Sequence, residues 1–386
     1  MDQLKTYKLA SVVKQKSTRN TKSDISRVLT VSNKYGFIPQ EKQFDKKQVA
    51  SEDLSNYKIV ELDDFAYNPA RINVGSIARM KKNEPGIVSP MYIVFSLNQK
   101  FVTPEYFELF LKTDQWKRQM CKYLEGSVRQ CLQFENLKEI QIVLPTLEEQ
   151  KRITLVLNKI DGQICKKETE ISSLQKLKLG ILRKIVSEKI KVSPDTNWKE
   201  NPLSDYLFEN KKRNKDNKYT KNDVLSVSKD NGVVNQIEYF GKSLAGNDLT
   251  NYHCVDKGDI IYTKSPLGNQ PYGIIKNSKV DGITSTLYAV YHCKDNILPE
   301  FVSYYFEDDE VLNKYLKPLV NIGAKHDMKV RNDVAISGTV CFPESVSDQK
   351  KIVELLNKIT SLIDGKINEL ESLKSIFNGV IQKEIK

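Results

Sequence analysis

The sequence predicts an α+β protein: a tandem duplication of a mixed α/β globule plus a long helix, the two helices forming an antiparallel coiled coil. Three observations predict it. Short motifs recur in order, 195 to 199 residues apart, over most of the 386 residues. β-rich runs bounded by turn residues fill the first part of each copy, and an apolar heptad fills the last part.

The repeat orders everything else. Val28-Leu29-Thr30-Val31-Ser32 returns as Val224-Leu225-Ser226-Val227-Ser228, and Asp53-Leu54-Ser55-Asn56-Tyr57 as Asp248-Leu249-Thr250-Asn251-Tyr252. Gly86-Ile87-Val88-Ser89 with Tyr92 returns as Gly282-Ile283-Thr284-Ser285 with Tyr288, and Pro104-Glu105 as Pro299-Glu300. Gln150-Lys151 through Leu157-Asn158-Lys159-Ile160 returns as Gln349-Lys350 through Leu356-Asn357-Lys358-Ile359. Four segments follow: globules at 1–145 and 191–343, and helices at 146–190 and 344–386.

Within the globules, Val28–Val31, Tyr92–Phe95 and Ile140–Leu144, with Val224–Val227, Leu287–Tyr291 and Val334–Cys341, read as strands. Pro104–Lys112 and Pro299–Phe306 read as helices opened by a proline in the first turn. Beyond each globule, Thr146-x-x-Glu149 and Ser345-x-x-Asp348 form capping-box starts just after Pro145 and Pro343. The first helix then carries Ile153, Leu157, Ile160, Ile164, Ile171, Leu174, Ile181 and Ile185, with Lys167 and Lys178 in skipped slots. The second carries Ile352, Leu356, Ile359, Ile363, Leu370, Leu373, Phe377 and Val380, with Lys366 in a skipped slot. Spacing that alternates four and three is a heptad seam, and each helix spans about 55–60 Å. Two such seams in one chain satisfy each other. Identical units closing about a two-fold axis run the helices antiparallel, with a globule expected at each end of the rod.

Sixty Lys+Arg against 49 Asp+Glu give a net charge of +11, which points to an anionic partner, nucleic acid first. No run approaches the roughly 18 apolar residues of a membrane span. The start lacks a basic stretch followed by an apolar one, and the six cysteines form no CxxC. A cytoplasmic protein with no membrane partner is expected.

Catalytic signatures are incomplete. Gly241-Lys242-Ser243 is similar to the end of a phosphate-binding loop, but the first glycine of that loop would fall at Gln236. Asn68-Pro69-Ala70-Arg71 lacks the second proline and the aromatic of an amino-methyltransferase motif. His253-Cys254 and His292-Cys293 are neighbours on strands, pointing to opposite faces, and are poor zinc ligands. The expectation is a non-catalytic chain without metal or bound cofactor.

Basic and amide-rich loops remain. Lys14, Lys16, Arg19 and Lys22, with Lys211, Lys212, Arg213 and Lys215 as counterparts, can neutralise phosphates. Asp64–Gly75 matches Asp259–Gln270: a strand ends and a polar loop follows. Asn68, Arg71 and Asn73 in the first copy, and Lys264, Ser265, Asn269 and Gln270 in the second, are side chains of the kind that read base edges. A shared framework with different tips suggests two different short sequences read.

These features together resemble the specificity subunit of a type I DNA restriction-modification system. The resemblance is carried by Asp64–Ser76 followed by Gly86-Ile87-Val88-Ser89-Pro90-Met91-Tyr92. It is carried also by Leu144-Pro145 with Glu149-Gln150 and Ile153, and by Phe342-Pro343 with Gln349 and Ile352. Gly126-Ser127-Val128-Arg129 and Gly323-Ala324-Lys325-His326 sit where that family has a glycine-containing loop, which adds Arg129 and Lys325 to the candidate DNA contacts. The resemblance implies two target-recognition domains, each reading half of a split double-stranded DNA site, and a helical spacer that sets the gap. It implies assembly with two modification subunits that bind S-adenosylmethionine and methylate adenine N6, and with restriction subunits that use ATP and Mg2+. Catalysis and cofactors then belong to the partners. The first copy lacks a counterpart of Trp198, so its globule is expected to start short. The alternative is a duplicated coiled-coil adaptor that recruits proteins and does not touch DNA.

Overall fold

A computed structural model describes residues 4–33, 35–42, 53–126, 130–187, 189–267, 270–322 and 328–385. The first globule contains β1 (Lys5–Lys8), β2 (Val13–Lys16), β3 (Leu29–Ser32), β4 (Gly36–Pro39), β5 (Lys58–Val60), β6 (Phe65–Tyr67), β7 (Ile77–Arg79), β8 (Gly86–Val88) and β9 (Ile93–Leu97). There follow α1 (Pro104–Phe110), α2 (Asp114–Lys122), α3 (Phe134–Glu139) and β10 (Gln141–Leu144), and then the long helix α4 (Leu147–Ser187). The second globule contains β11 (Trp198–Pro202), β12 (Leu207–Glu209), β13 (Leu225–Ser228), β14 (Gly232–Asn235), α5 (Gln236–Phe240), β15 (His253–Val255), β16 (Ile260–Thr263), β17 (Ile275–Asn277), β18 (Gly282–Thr284) and β19 (Tyr288–Cys293). It closes with α6 (Pro299–Tyr305), α7 (Asp309–Leu316), the short pair β20 (Asn321–Ile322) and β21 (Met328–Lys329), α8 (Asn332–Ala335) and β22 (Thr339–Pro343), before the second long helix, α9 (Val346–Glu384). Among the described residues, no helix is long and apolar enough to cross a membrane.

The two globules repeat one topology. A four-stranded antiparallel sheet runs β2-β9-β6-β7 in the first and β12-β19-β16-β17 in the second. The hairpins β3-β4 and β13-β14 recur, as do the pairs β5-β8 and β15-β18. A parallel bridge links Val28 to Ile87, and its copy links Val224 to Ile283. The glycines that precede these isoleucines are forced. A Cβ on Gly86 would lie 2.3 Å from Leu29 Cδ1, and one on Gly282 would lie 2.6 Å from the Asp223 carbonyl oxygen.

The ladder that leads into each long helix is also duplicated: β1 pairs with β10, and β11 with β22, both antiparallel. Lys5 opposes Leu144 as Lys199 opposes Phe342, while the second ladder has one further pair, Trp198 with Pro343. The strand expected over Val334–Cys341 is corrected at its start. Asn332–Ala335 is a helical turn, and pairing begins only at Thr339. The first capping signal is half realised: Thr146 Oγ1 accepts from the Glu149 amide at 3.3 Å, while the Glu149 carboxylate goes to Arg152. In the second, Asp348 serves the linker, accepting from Ser193 Oγ at 2.7 Å and from Lys351 Nζ at 3.0 Å.

The chain divides into two compact units, one of Met1–Glu168 with Asn368–Lys386 and one of Thr169–Ile367. Each unit therefore holds a globule, one part of α4 and one part of α9. In the first, Ile153, Leu157 and Ile164 share a core with Phe377, Ile381 and Ile385 and with Phe65, Phe95 and Phe107 of the sheet and α1. Ile160, Leu370 and Leu373 pack on its margin. In the second, Leu182 and Ile185 share a core with Ile352, Val353 and Leu356 and with Phe301, Phe306 and Phe342. The seam residues Ile171 and Ile363 are buried, while Leu174 and Ile359 are half-buried.

Ion pairs join the two helices. Lys167 meets Glu369 at 2.5 Å and Glu168 meets Lys374 at 2.7 Å in the first unit, and Glu170 meets Lys366 at 3.3 Å in the second. Within the first unit, Ile153 near the start of α4 lines a cleft with Lys383 and Glu384 near the end of α9, whereas Lys167 further along α4 meets Glu369, so the helices run antiparallel. Lys178 leaves the seam altogether. It pairs with Glu307 at 2.7 Å and lies 4.8 Å over the Tyr304 ring, which ties α4 to the second globule.

Candidate nucleic-acid interface

In the first globule, β2 ends at Lys16 and the chain turns out through Arg19. Asn20 fixes this turn from inside: its buried Nδ2 donates to the Ile25 carbonyl at 2.8 Å. Arg19 is exposed, bridges to Lys58 across the strand edge, and donates from Nη1 to Asn56 Oδ1 at 2.8 Å. Lys14 and Lys22 are exposed beside it. Lys16 is different. Its Nζ is held by Glu61 at 2.6 Å and by Asp64 at 2.7 Å, so its charge is spent internally and it leaves the set of phosphate candidates. Burial pushes the Asp64 carboxyl above its ordinary value, with Lys16 pulling it back.

The polar loop leaves β6 at Asn68 and returns at Ser76, where the Asn68 amide donates to the Ser76 carbonyl at 3.1 Å. Asn68 Oδ1 accepts from the Ala70 amide at 3.0 Å, which shapes the first turn. A single 3-10 turn over Ile72–Val74 then ends on Gly75 at φ +88°. Ile72 is buried and anchors it, while Arg71 and Asn73 stay exposed. The Arg71 guanidinium has no hydrogen-bond or ion-pair partner among the described residues.

The second globule keeps the frame and changes the contents. Asn214 repeats Asn20, donating to the Tyr219 carbonyl at 2.9 Å. Arg213 repeats Arg19, bridging to His253 where Arg19 bridges to Lys58. This sets the register between the basic loops: Arg213 is the true counterpart of Arg19, whereas Lys211, Lys212 and Lys215 match no lysine of the first loop. Lys211, Lys212 and Lys215 are exposed, and Lys215 Nζ donates to Asn251 Oδ1 at 2.7 Å. Asn210 stands where Lys16 stood. It donates to Asp259 Oδ2 at 3.1 Å, and the other oxygen of Asp259 lies 2.6 Å from His292 Nδ1.

The polar loop of the second globule runs from Thr263 to Ile274, three residues longer than its counterpart, closed by the same kind of amide-to-carbonyl bond at 3.0 Å. Ser265 is exposed. Lys264 is half-buried and donates to Asn332 Oδ1 at 3.2 Å, while Asn332 Nδ2 donates to Glu209 Oε1 at 2.6 Å. Burial, then the Arg213 charge, lowers the Lys264 pKa. Gln270 is 1% exposed, and its Oε1 has no partner within the described residues. It is withdrawn as a base-reading side chain, and Lys264 is as much a structural residue as a surface one. Arg129, Asn269 and Lys325 lie outside the described residues.

The fold thus brings the two loops of the second globule together. Burial, then Arg213, then Lys264, drives the His253 pKa down to about 4. Lys58 was not singled out in the sequence, and His253 was weighed only as a zinc ligand; these are the residues the two arginines bridge to. Each directly follows a repeated segment, Asp53–Tyr57 or Asp248–Tyr252, and strand pairing rather than composition puts it beside the basic loop.

Each globule thus carries the same four-stranded sheet with a basic turn and a polar loop whose length and side chains differ between the copies. Residues 1–176 match the family model described as the type I restriction modification DNA specificity domain. The chain is 25% identical over 322 residues to the type I restriction enzyme MjaVIII specificity subunit of Methanocaldococcus jannaschii, covering 78% of this chain and 71% of that protein. It is 23% identical over 399 residues to the putative MjaX specificity subunit of the same organism, covering 94% and 87%. The fold is similar to that of the type I restriction-modification S subunit from M. genitalium, with TM-score 0.55 at 13% identity over 99% of this chain and 96% of that one. A chain from a structure described as the basis of complex assembly and conformational transition of the type I R-M system gives TM-score 0.59 at 12% identity over 98% and 96%. Residues 1–176 thus resemble the type I DNA specificity domain, and most of the chain is similar to type I specificity subunits.

Proposed function

We propose that this chain reads a split DNA site, one half per globule, and that the paired helices set the gap between the halves. The observation that carries the reading is the Arg19–Arg213 equivalence. Both arginines project from the same turn of the same frame, beside polar loops that differ in length and side chains. A constant cation holds phosphate and fixes register, while a variable loop carries sequence information. The chain supplies no catalysis in this reading. S-adenosylmethionine, ATP and Mg2+ act on modification and restriction subunits that the chain positions along DNA.

The outer faces of the helices suit that second task. Val156 and Leu177 on α4, and Leu355, Leu362 and Ile376 on α9, are exposed. Val156 and Leu355 are repeat counterparts, as are Leu177 and Ile376, and all lie on heptad stripes outside the seam. Such stripes fit partner helices, one set for each of two modification subunits.

Selection of bound duplexes from a random pool by the full chain tests the reading. Enrichment of two short motifs with a fixed gap, bound with a steep inverse dependence on salt, is the expected result. Weak, salt-insensitive binding without enrichment favours the protein-recruiting adaptor.

A further inference from the structure

Met91 is 62% exposed and Leu287 is 67% exposed. A single large apolar side chain at the surface is ordinary. These two, however, occupy the same place in the two globules. Met91 is third in the turn Ser89-Pro90-Met91-Tyr92, closed by the Tyr92 amide donating to the Ser89 carbonyl at 3.0 Å. Leu287 is third in Ser285-Thr286-Leu287-Tyr288, closed in the same way at 3.1 Å. The turns join β8 to β9 and β18 to β19, so both tips are held by paired strands. The Tyr92 hydroxyl adds a buried anchor, 3.1 Å from Thr30 Oγ1.

The surroundings of both tips are cationic and polar. Asn68 Nδ2 lies 3.8 Å from Met91 Sδ, and Lys58 Nζ donates to the Tyr92 carbonyl at 2.6 Å, with Arg19 bridged to Lys58. In the second globule, the Lys264 amide donates to the Leu287 carbonyl at 3.2 Å, with Arg213 acting on Lys264. Each tip is thus a rigid apolar point between the cationic turn and the polar loop. Cations at this position draw phosphates to both sides of it. Met and Leu are among the side chains that insert between base steps, whereas thymine methyl contacts come from Ala, Thr and Phe.

We propose that Met91 and Leu287 are apolar wedges that enter the duplex and unstack one base step in each half-site. The inference rests on the DNA-reading function above. Its test uses the full chain and the duplex recovered by selection, with 2-aminopurine placed at successive steps of each half. The wild type raises fluorescence at one step in each half. Met91→Ala abolishes the rise in one half only and weakens binding about tenfold, with the salt slope unchanged. Leu287→Ala does the same in the other half. Met91→Gln, which keeps length but not polarity, also loses the signal, while Met91→Leu keeps it. Both positions are exposed, so thermal unfolding of the variants matches the wild type. Site-specific binding by the wild type with no fluorescence rise, or a rise that survives Met91→Ala and Leu287→Ala, overturns the wedge and leaves the DNA-reading function standing. A wild type that does not distinguish the selected duplex from random DNA overturns both.

Discussion

Gln150 and Gln349, each in the first turn of a long helix, make the same three hydrogen bonds. Gln150 Oε1 accepts from the Thr103 amide at 2.9 Å, and its Nε2 donates to the carbonyls of Phe101 and Pro145 at 2.8 and 3.0 Å. Gln349 Oε1 accepts from the Leu298 amide at 2.9 Å, and its Nε2 donates to the carbonyls of Asn296 and Pro343 at 3.1 and 3.0 Å. Both side chains are fully buried. Each fastens its long helix to the loop that opens α1 or α6. Replacing either by leucine strands buried backbone groups, and about 2–4 kcal/mol of stability is expected to be lost. Denaturant unfolding of Gln150→Leu and Gln349→Leu measures this, and the two losses are expected to be similar.

Gly86 and Gly282 answer to sterics rather than turn geometry. Alanine at 282 drives its Cβ into the Asp223 carbonyl and into Leu225, while alanine at 86 meets chiefly the Leu29 side chain. A side chain yields more readily than a backbone. Gly282→Ala is expected to cost about 1–3 kcal/mol, and Gly86→Ala less. Thermal melts of the two variants give the order directly.

Arg71 and Lys264 now part company. Arg71→Ala removes an exposed guanidinium and is expected to cost about 1–3 kcal/mol on the cognate site, relaxing one position of one half-site without altering stability. Lys264→Ala also breaks the tie to Asn332, so a drop in unfolding midpoint is expected with any loss of binding. Lys212→Ala weakens all sequences alike and flattens the salt slope by about one unit. Binding titrations on cognate and scrambled duplexes distinguish the three.

His253 makes stability depend on pH. Folding lowers its pKa from 6.5 to about 4. Below pH 6.5 the unfolded chain takes up a proton that the folded chain refuses, so stability falls as pH drops toward 4 and then levels off. The slope over that window approaches about 1 kcal/mol per pH unit from this group. His253→Gln is expected to flatten the acid limb by that amount, read as the difference between wild-type and variant unfolding free energies from pH 7 to 4.

The repeat made most of the architecture legible, because helix seams and strand pairs follow periodicity. Ile153 and Ile352 announce their burial by spacing alone. The Asn332–Ala335 helical turn was hidden inside an apolar run that reads equally well as strand. The interface was less legible. Lys16 and Lys264 have the composition of contact residues, and only tertiary pairing with Asp64 and Asn332 reveals that they are held internally. Gln270 looked like loop surface because burial of a polar side chain leaves no mark in local pattern. The Arg19–Arg213 match was obscured by the lysines around it, since register there is set by Asn20 and Asn214 capping their own turns.

The helices carry the central claim, that a fixed spacer separates two independent readers. One heptad inserted after Glu170 and one after Glu369 keeps the seam in phase on both strands of the pair. It adds about 10 Å, up to three base pairs of gap at about 3.4 Å each. Rotation of the second half-site by roughly a third of a turn limits how much of this the globules can use. Methylome sequencing of a host carrying this variant with its partner subunits is therefore expected to give both half-site sequences unchanged and a gap longer by about one to three pairs. A three-residue insertion throws the seam out of register and is expected to abolish methylation. An unchanged gap in the heptad variant, or altered half-site sequences, would contradict the account.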